Sequence, residues 1–181
     1  MKRARAIVIL VALVIIISLA YVMYNDLKKD YMLRNLETLE ETAQVSDFTI
    51  KDKDELEVSF SSFSGKPTVI NIWATWCPYC IEEFHDFQSA YNKYKENVNF
   101  IMLNSTDGQR ETVKKASEFI KESGYTFPVY YDVYFEASYH FGASSLPMTI
   151  FIDKDGNAVA FARGKIGIED IVAGIELILK K

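Results

Sequence analysis

Residues 6–23 are apolar except for Ser18 and Tyr21. A helix of that length just spans a bilayer core of roughly 30 Å. Residues 25–46 are rich in charge and contain neither Gly nor Pro. Within them Leu27, Tyr31, Met32, Leu36 and Leu39 fall at helical spacing, which predicts a juxtamembrane helix or a solvated spacer. From Phe48 the pattern changes. Residues 48–50 and 56–60 read as short strands of a hairpin, and Gly65-Lys66-Pro67 as a turn. Residues 68–74 form an almost continuous apolar run, as expected of a strand buried on both faces. Phe84, Phe87, Tyr91 and Tyr94 then recur at helical steps. A buried strand is expected over 98–103. A helix over 112–122 would carry Val113, Ala116, Phe119 and Ile120 on one face and end at Gly124. Residues 127–131 suggest a short strand and 136–141 a short helix. Residues 148–152 and 158–162 pair across the turn Asp153-Lys154-Asp155-Gly156. Residues 168–179 close the chain as a helix, with Glu169 and Asp170 in its first turn and Lys180 and Lys181 at its end, as the helix dipole favours. The order β–β–β–α–β–α–β–β–α predicts an α/β fold: a mixed sheet flanked by helices and preceded by one transmembrane helix.

Composition sharpens this picture at the N-terminus. Lys2, Arg3 and Arg5 precede the apolar run, and the first 24 residues contain no acid. The positive-inside rule keeps residues 1–5 in the cytoplasm and exports everything from residue 25 onward. Residues 6–24 are therefore expected to be a single-pass anchor; a cleaved signal peptide ending at Ser18-Leu19-Ala20 is the alternative, and either exports the domain over 47–181. With those three basic residues set aside, 17 of the 20 remain against 25 acidic ones, a net charge of −8. Phosphate contacts need clustered Lys and Arg, so an acidic body argues against a nucleic-acid partner.

The chain has two cysteines, in Trp76-Cys77-Pro78-Tyr79-Cys80. A disulfide framework needs more cysteines at wider spacing, and a zinc site needs further soft ligands; His85 and His140 show no such spacing. No metal or other cofactor is expected beyond the cysteine pair itself. The pair lies between a buried strand and a helix. Cys77 would start that helix, where free backbone N–H groups and the dipole favour a thiolate. Pro78 suits the first helical position because it has no N–H to lose. Two intervening residues bring the sulfurs within bonding reach. Cys77 would attack a partner disulfide and Cys80 would resolve the mixed disulfide; the reverse sequence oxidises a dithiol. Half a metal site or two incidental core cysteines are the competing explanations of a CxxC taken alone.

Three further features bear on that chemistry. Pro147 opens a strand in Ser145-Leu146-Pro147-Met148-Thr149. Functionally, a cis Leu146–Pro147 bond facing the cysteines would let Leu146 offer its backbone to an extended substrate. On local sequence alone a trans loop proline is the default, since cis occurs at about 5–6% of X–Pro bonds. Glu83 lies one helical turn after Cys80, where a carboxylate could hold the proton that Cys80 must lose; a surface glutamate like Glu82 is the alternative. Trp76 and Tyr79 flank the sulfurs, either as an apolar rim for a polypeptide or as local packing.

At these residues the sequence resembles the thioredoxin superfamily and, within it, the exported TlpA/ResA/CcmG-like branch. The resemblance runs from about Phe48 to the C-terminus. It rests on Phe48-Thr49-Ile50, Gly65-Lys66-Pro67, Asn71-Ile72-Trp73-Ala74-Thr75-Trp76-Cys77, Glu83-Phe84, Leu146-Pro147-Met148-Thr149 and Ile152-Asp153-Lys154-Asp155-Gly156. It implies the thioredoxin-like fold, a proton-relay role for Glu83, a cis Pro147, and electrons delivered by a membrane-embedded donor of the DsbD or CcdA kind. Asn71 stands where cytoplasmic thioredoxins carry a buried aspartate. The Pro78-Tyr79 pair looks like that of glutaredoxins, so the direction of electron flow does not carry over, and His85 replaces a proline common in the branch. The expected activity is thiol–disulfide exchange on exported proteins, reducing disulfides such as those of apocytochrome c. A disulfide-forming oxidant, a Cu(I) metallochaperone and a thiol peroxidase are the alternatives.

Overall fold

The structure, a computed structural model, describes residues 2–32 and 35–180. They divide into an N-terminal unit ending at Arg34 and a larger unit from Asn35 onward. The first is one helix, α1 (Lys2–Met32). Its apolar side chains from Leu10 to Tyr24 are exposed. Among the described residues no helix is long and apolar enough to cross a membrane. The side chains of residues 6–9, where the expected anchor begins, lie outside the described ones.

In the second unit an eight-stranded sheet runs in the order β1-β8-β7-β4-β5-β6-β2-β3. The strands are β1 (Glu37–Gln44), β2 (Thr49–Lys51), β3 (Glu57–Ser59), β4 (Thr68–Trp73), β5 (Asn99–Asn104), β6 (Val129–Tyr131), β7 (Met148–Ile152) and β8 (Asn157–Arg163). The helices are α2 (Pro78–Tyr94), α3 (Val113–Ser123), α4 (Glu136–His140) and α5 (Ile168–Leu179). β4, β5 and β6 are parallel neighbours, and the remaining pairings are antiparallel. Every residue of β4 is buried, which explains its unbroken apolar run in mid-sheet.

Side-chain alternation sorts the two faces. Ile70 and Ile72 of β4 join Ile101, Leu103, Ile150 and Ile152 in a cluster closed by Phe48, Phe60 and Ala137 of α4. On the other face Trp73 meets Phe84 of α2 edge-on, and both rings lie against Phe119 of α3. α5 packs on the same face. Its Gly174 lies so close to Phe151 of β7 that an added Cβ would overlap the ring.

One boundary differs from the sequence expectation. The spacer expected over 25–46 is not a single element: α1 continues to Met32, and β1 pairs with β8 as an edge strand. The compact unit thus begins at Asn35 rather than at residue 47. β1 holds Glu37, Glu40 and Glu41, shows no apolar alternation, and has a register shift between Thr38 and Ala43. Charge and a bulge are how edge strands avoid pairing with other chains, and they also hide the strand from a periodicity test. Among the described residues its buried anchor is Leu36, just ahead of the strand.

Candidate active site

α2 begins where β4 ends, and the junction carries both cysteines. Cys77 is the N-cap of α2 in extended conformation, and Pro78 follows at the first helical position. The Cys77 sulfur accepts the Cys80 N–H at 3.2 Å, so one of the orphan donors of the helix start points at sulfur. Cys77 and Cys80 are joined by a disulfide, with Cα atoms 5.3 Å apart. Cys80 is fully buried and Cys77 nearly so, whereas Pro78, Trp76 and Tyr79 are exposed beside them.

Leu146–Pro147 is cis. The antiparallel register pairs Ile72 with Met148, so the next position along sets Pro147 level with Trp73, at the end of β4 from which the cysteine loop departs. The Pro147 carbonyl accepts the Gly164 N–H at 2.8 Å. Pro147 is buried and Leu146 half-buried. The sheet register, not proximity in sequence, brings this segment to the site.

Glu83 is fully buried. One carboxyl oxygen accepts from Asn71 Nδ2 at 2.7 Å and the other from the Ile166 N–H at 3.0 Å. Asn71 Nδ2 also donates to Thr149 Oγ1 at 3.1 Å, and the register that pairs Asn71 with Thr149 makes this contact possible. Burial dominates the electrostatics and pushes the Glu83 carboxyl up to about 8, against the opposing pull of the Ile166 and Asn71 hydrogen bonds. Asp86 pushes in the same direction as burial, and Lys165 pulls against it. Lys165 itself is paired with the exposed Glu82 at 2.7 Å. Glu82 and Glu83 are therefore adjacent in sequence and opposite in environment. His85 is exposed on α2.

Several residues of this neighbourhood escaped the sequence reading. Thr149 and Ile166 reach Glu83 and its partner through tertiary pairing. Glu111, fully buried, accepts the Thr75 N–H at 2.9 Å and the Thr75 hydroxyl at 2.6 Å. Arg110 lays its guanidinium 3.9 Å from the centre of the Trp76 ring. The one available signal was a Glu just before a helix N-cap at Thr112, and that pattern is common on protein surfaces.

The arrangement can exchange a disulfide for two thiols. One sulfur sits at a helix start, its partner is buried behind it, and a carboxyl group that holds its proton near neutral pH lies one turn further on. Comparison with known proteins agrees with this geometry. The thiol-disulfide oxidoreductase ResA of Bacillus thuringiensis subsp. konkukian is 31% identical over 130 residues, covering 71% of this chain and 73% of that protein. ResA of Bacillus subtilis is 28% identical over 167 residues, covering 91% and 88%. Among solved structures, StoA from Bacillus subtilis superposes with a TM-score of 0.63 at 22% identity, covering 72% of this chain and 97% of that one. A DsbF homologue from Corynebacterium diphtheriae gives 0.69 at 25% identity, covering 79% and 92%. Residues 42–160, from the edge strand through the disulfide to β8, match the AhpC/TSA family, and the chain belongs to that family within the thioredoxin superfamily.

Proposed function

We propose that this protein is a membrane-anchored thiol–disulfide oxidoreductase that reduces disulfides of exported proteins, cytochrome c maturation among its uses, through Cys77 and Cys80. The observation that carries the reading is the Cys77–Cys80 disulfide at the start of α2 with the buried, proton-holding Glu83 one turn on. The names of the ResA relatives support the same reaction class.

In the reduced protein the Cys77 thiolate attacks one sulfur of a client disulfide, and the other client sulfur leaves as thiolate. Cys80 then passes its proton to Glu83 in the fraction of molecules whose carboxyl, titrating at about 8, is ionised, and attacks the Cys77 sulfur. The second client thiolate departs and the Cys77–Cys80 bond closes. One client disulfide becomes two thiols while the enzyme dithiol becomes a disulfide. For the return, a donor thiolate attacks the Cys77 sulfur, Cys80 leaves, and the proton held on Glu83 neutralises it. A second donor thiol attacks the donor sulfur of the mixed disulfide and frees Cys77. A membrane-embedded dithiol donor of the DsbD or CcdA kind fits a domain tethered beside the bilayer. Trp76, Pro78 and Tyr79 form the exposed rim a polypeptide meets, and Leu146 beside Pro147 offers its backbone to an extended segment. The apolar run over 6–23 behind Lys2, Arg3 and Arg5 supports a single-pass anchor with the catalytic unit on the extracytoplasmic side.

Trapping tests the reading. With Cys80→Ala in the full-length chain, a mixed disulfide through Cys77 should accumulate on exported proteins, and the attached chain names the client. Absence of any adduct under both oxidising and reducing growth removes the proposed activity. A midpoint potential more negative than that of glutathione supports reduction; a more positive one reassigns the protein as an oxidant.

A further inference from the structure

The cysteine loop is gripped by a second buried carboxyl group, supplied by the segment that joins β5 to α3. Glu111 is fully buried. One of its oxygens accepts the Thr75 N–H at 2.9 Å and Asn104 Nδ2 at 2.7 Å, and the other accepts the Thr75 hydroxyl at 2.6 Å. Lys115 Nζ lies 3.8 Å from that second oxygen. Burying a carboxyl group is costly, and satisfying it with donors aimed at its two oxygens offsets the cost only if those donors stay in place. Both polar groups that Thr75 can donate are thus committed to one residue 36 positions further along the chain.

The segment that supplies Glu111 is itself held. Asp107 accepts the N–H groups of Gln109 and Glu111, each at 2.8 Å, and the Gly108 N–H returns to the Glu111 carbonyl at 2.9 Å. Arg110, next to Glu111, stacks its guanidinium on Trp76, next to Thr75. Two consecutive residues therefore hold two consecutive residues, and Cys77 comes directly after them. The Cys77 N–H closes the turn onto the Ala74 carbonyl at 3.1 Å.

We propose that Glu111 is a positioning residue for Cys77: by fixing Thr75 it sets the turn through which Cys77 enters α2 as N-cap with its sulfur on the Cys80 N–H. Arg110 fixes Trp76 in the same stroke and so shapes the rim. The inference rests on the exchange reading above, in which a thiolate at the helix start is the attacking group. A thiolate gains from helix-terminal donors only while it faces them, so a loosened turn raises its pKa and slows attack.

The test follows alkylation of Cys77 by iodoacetamide against pH in the reduced protein, read by mass spectrometry, with urea denaturation alongside. Glu111→Ala should move the Cys77 midpoint toward the free-thiol value of about 8.5 and slow alkylation at pH 7 about tenfold. Glu111→Gln should stay within about twofold of wild type, because its amide oxygen can accept from Thr75 and Asn104 while its NH2 donates to the Thr75 hydroxyl. Thr75→Val, which loses only the hydroxyl bond, should slow alkylation about threefold, with no further loss when added to Glu111→Ala. A folded Glu111→Ala protein with the wild-type midpoint overturns the proposal, and so does a Glu111→Gln protein as impaired as the alanine variant. Should Glu111→Ala fail to fold, an unchanged midpoint in Thr75→Val overturns it equally. A wild-type Cys77 that alkylates like free cysteine sinks the exchange reading itself; a poised wild type with equally poised variants sinks only the role of Glu111.

Discussion

Glu83→Gln should abolish a pH dependence of stability that the wild-type protein carries between pH 5 and pH 8. The Glu83 carboxyl titrates at about 8 in the folded protein against 4.5 for an ordinary glutamate, so across that interval the folded state binds more protons than the unfolded state. Stability then falls as pH rises, because the slope follows the protons bound by the unfolded state minus those bound by the folded one. The penalty is absent below about pH 4.5, grows through neutrality and is complete above about pH 8. At about 1.4 kcal/mol per pKa unit, this one group makes the fold about 3–4 kcal/mol less stable at pH 8 than at pH 5. Gln has no proton to exchange. Its amide does leave one mismatch, since both carboxyl oxygens of Glu83 accept hydrogen bonds and the NH2 must face Asn71 Nδ2 or the Ile166 N–H. That cost does not vary with pH, so the slope and not the intercept carries the test. Lys165, held protonated by its pairing with Glu82, is charged throughout the interval and contributes no slope of its own. Urea denaturation of the oxidised protein with its disulfide intact, at pH 5, 6, 7 and 8, gives both curves by linear extrapolation. The difference between variant and wild type should widen by about 3–4 kcal/mol in favour of Gln from pH 5 to pH 8. Curves that stay parallel within about 1 kcal/mol would mean that Glu83 is ionised across the whole interval, and the proton relay would lose its physical basis.

Asn71→Leu removes a hydrogen bond that lowers the Glu83 pKa, so the carboxyl midpoint should move above about 8 when followed by 13C NMR; a downward move would contradict the assigned balance. Gly174→Ala would gain about 1 kcal/mol in an open helix, but against the Phe151 ring it should cost about 1–3 kcal/mol and lower the melting temperature. A more stable Gly174→Ala protein would show that α5 does not approach β7 as described. Asp132, buried and accepting the Ala137 and Ser138 N–H groups at 3.4 and 2.7 Å, holds the start of α4; Asp132→Ala should cost about 1–2 kcal/mol in urea denaturation, and an unchanged midpoint would deny it that role.

What the sequence disclosed was what neighbouring residues decide among themselves. β4 was legible because burial on both faces leaves a continuous apolar run, and α2 because Phe84, Phe87, Tyr91 and Tyr94 recur at helical steps, the two phenylalanines fully buried and the two tyrosines half-buried. The Cys77–Pro78 helix start is likewise a local device. β1 was hidden because an edge strand has little to bury and is protected by charge. Phe135, an aromatic in left-handed conformation at the start of α4, has no sequence signal at all.

The environment of Glu83 was hidden for a different reason, and that reason bears on how the site is built. Its two hydrogen-bond donors come from β4 and from the segment after β8, and Asn71 is in turn tied to Thr149 of β7. A slip of one residue between β4 and β7 would turn Thr149 to the opposite face, since side chains alternate along a strand. Asn71 would lose a partner, and Pro147 would no longer lie level with Trp73. The same register therefore fixes the proline at the end of β4, where the cysteine loop departs, and the polar contacts that moderate the buried carboxyl. The cysteine pair is a local motif, but the surroundings of Glu83 and the placement of Leu146–Pro147 are both properties of the β4–β7 pairing. That pairing is specified by apolar residues on the far face of the sheet, Ile70 and Ile72 against Met148 and Ile150, in the cluster on which Leu146 also packs.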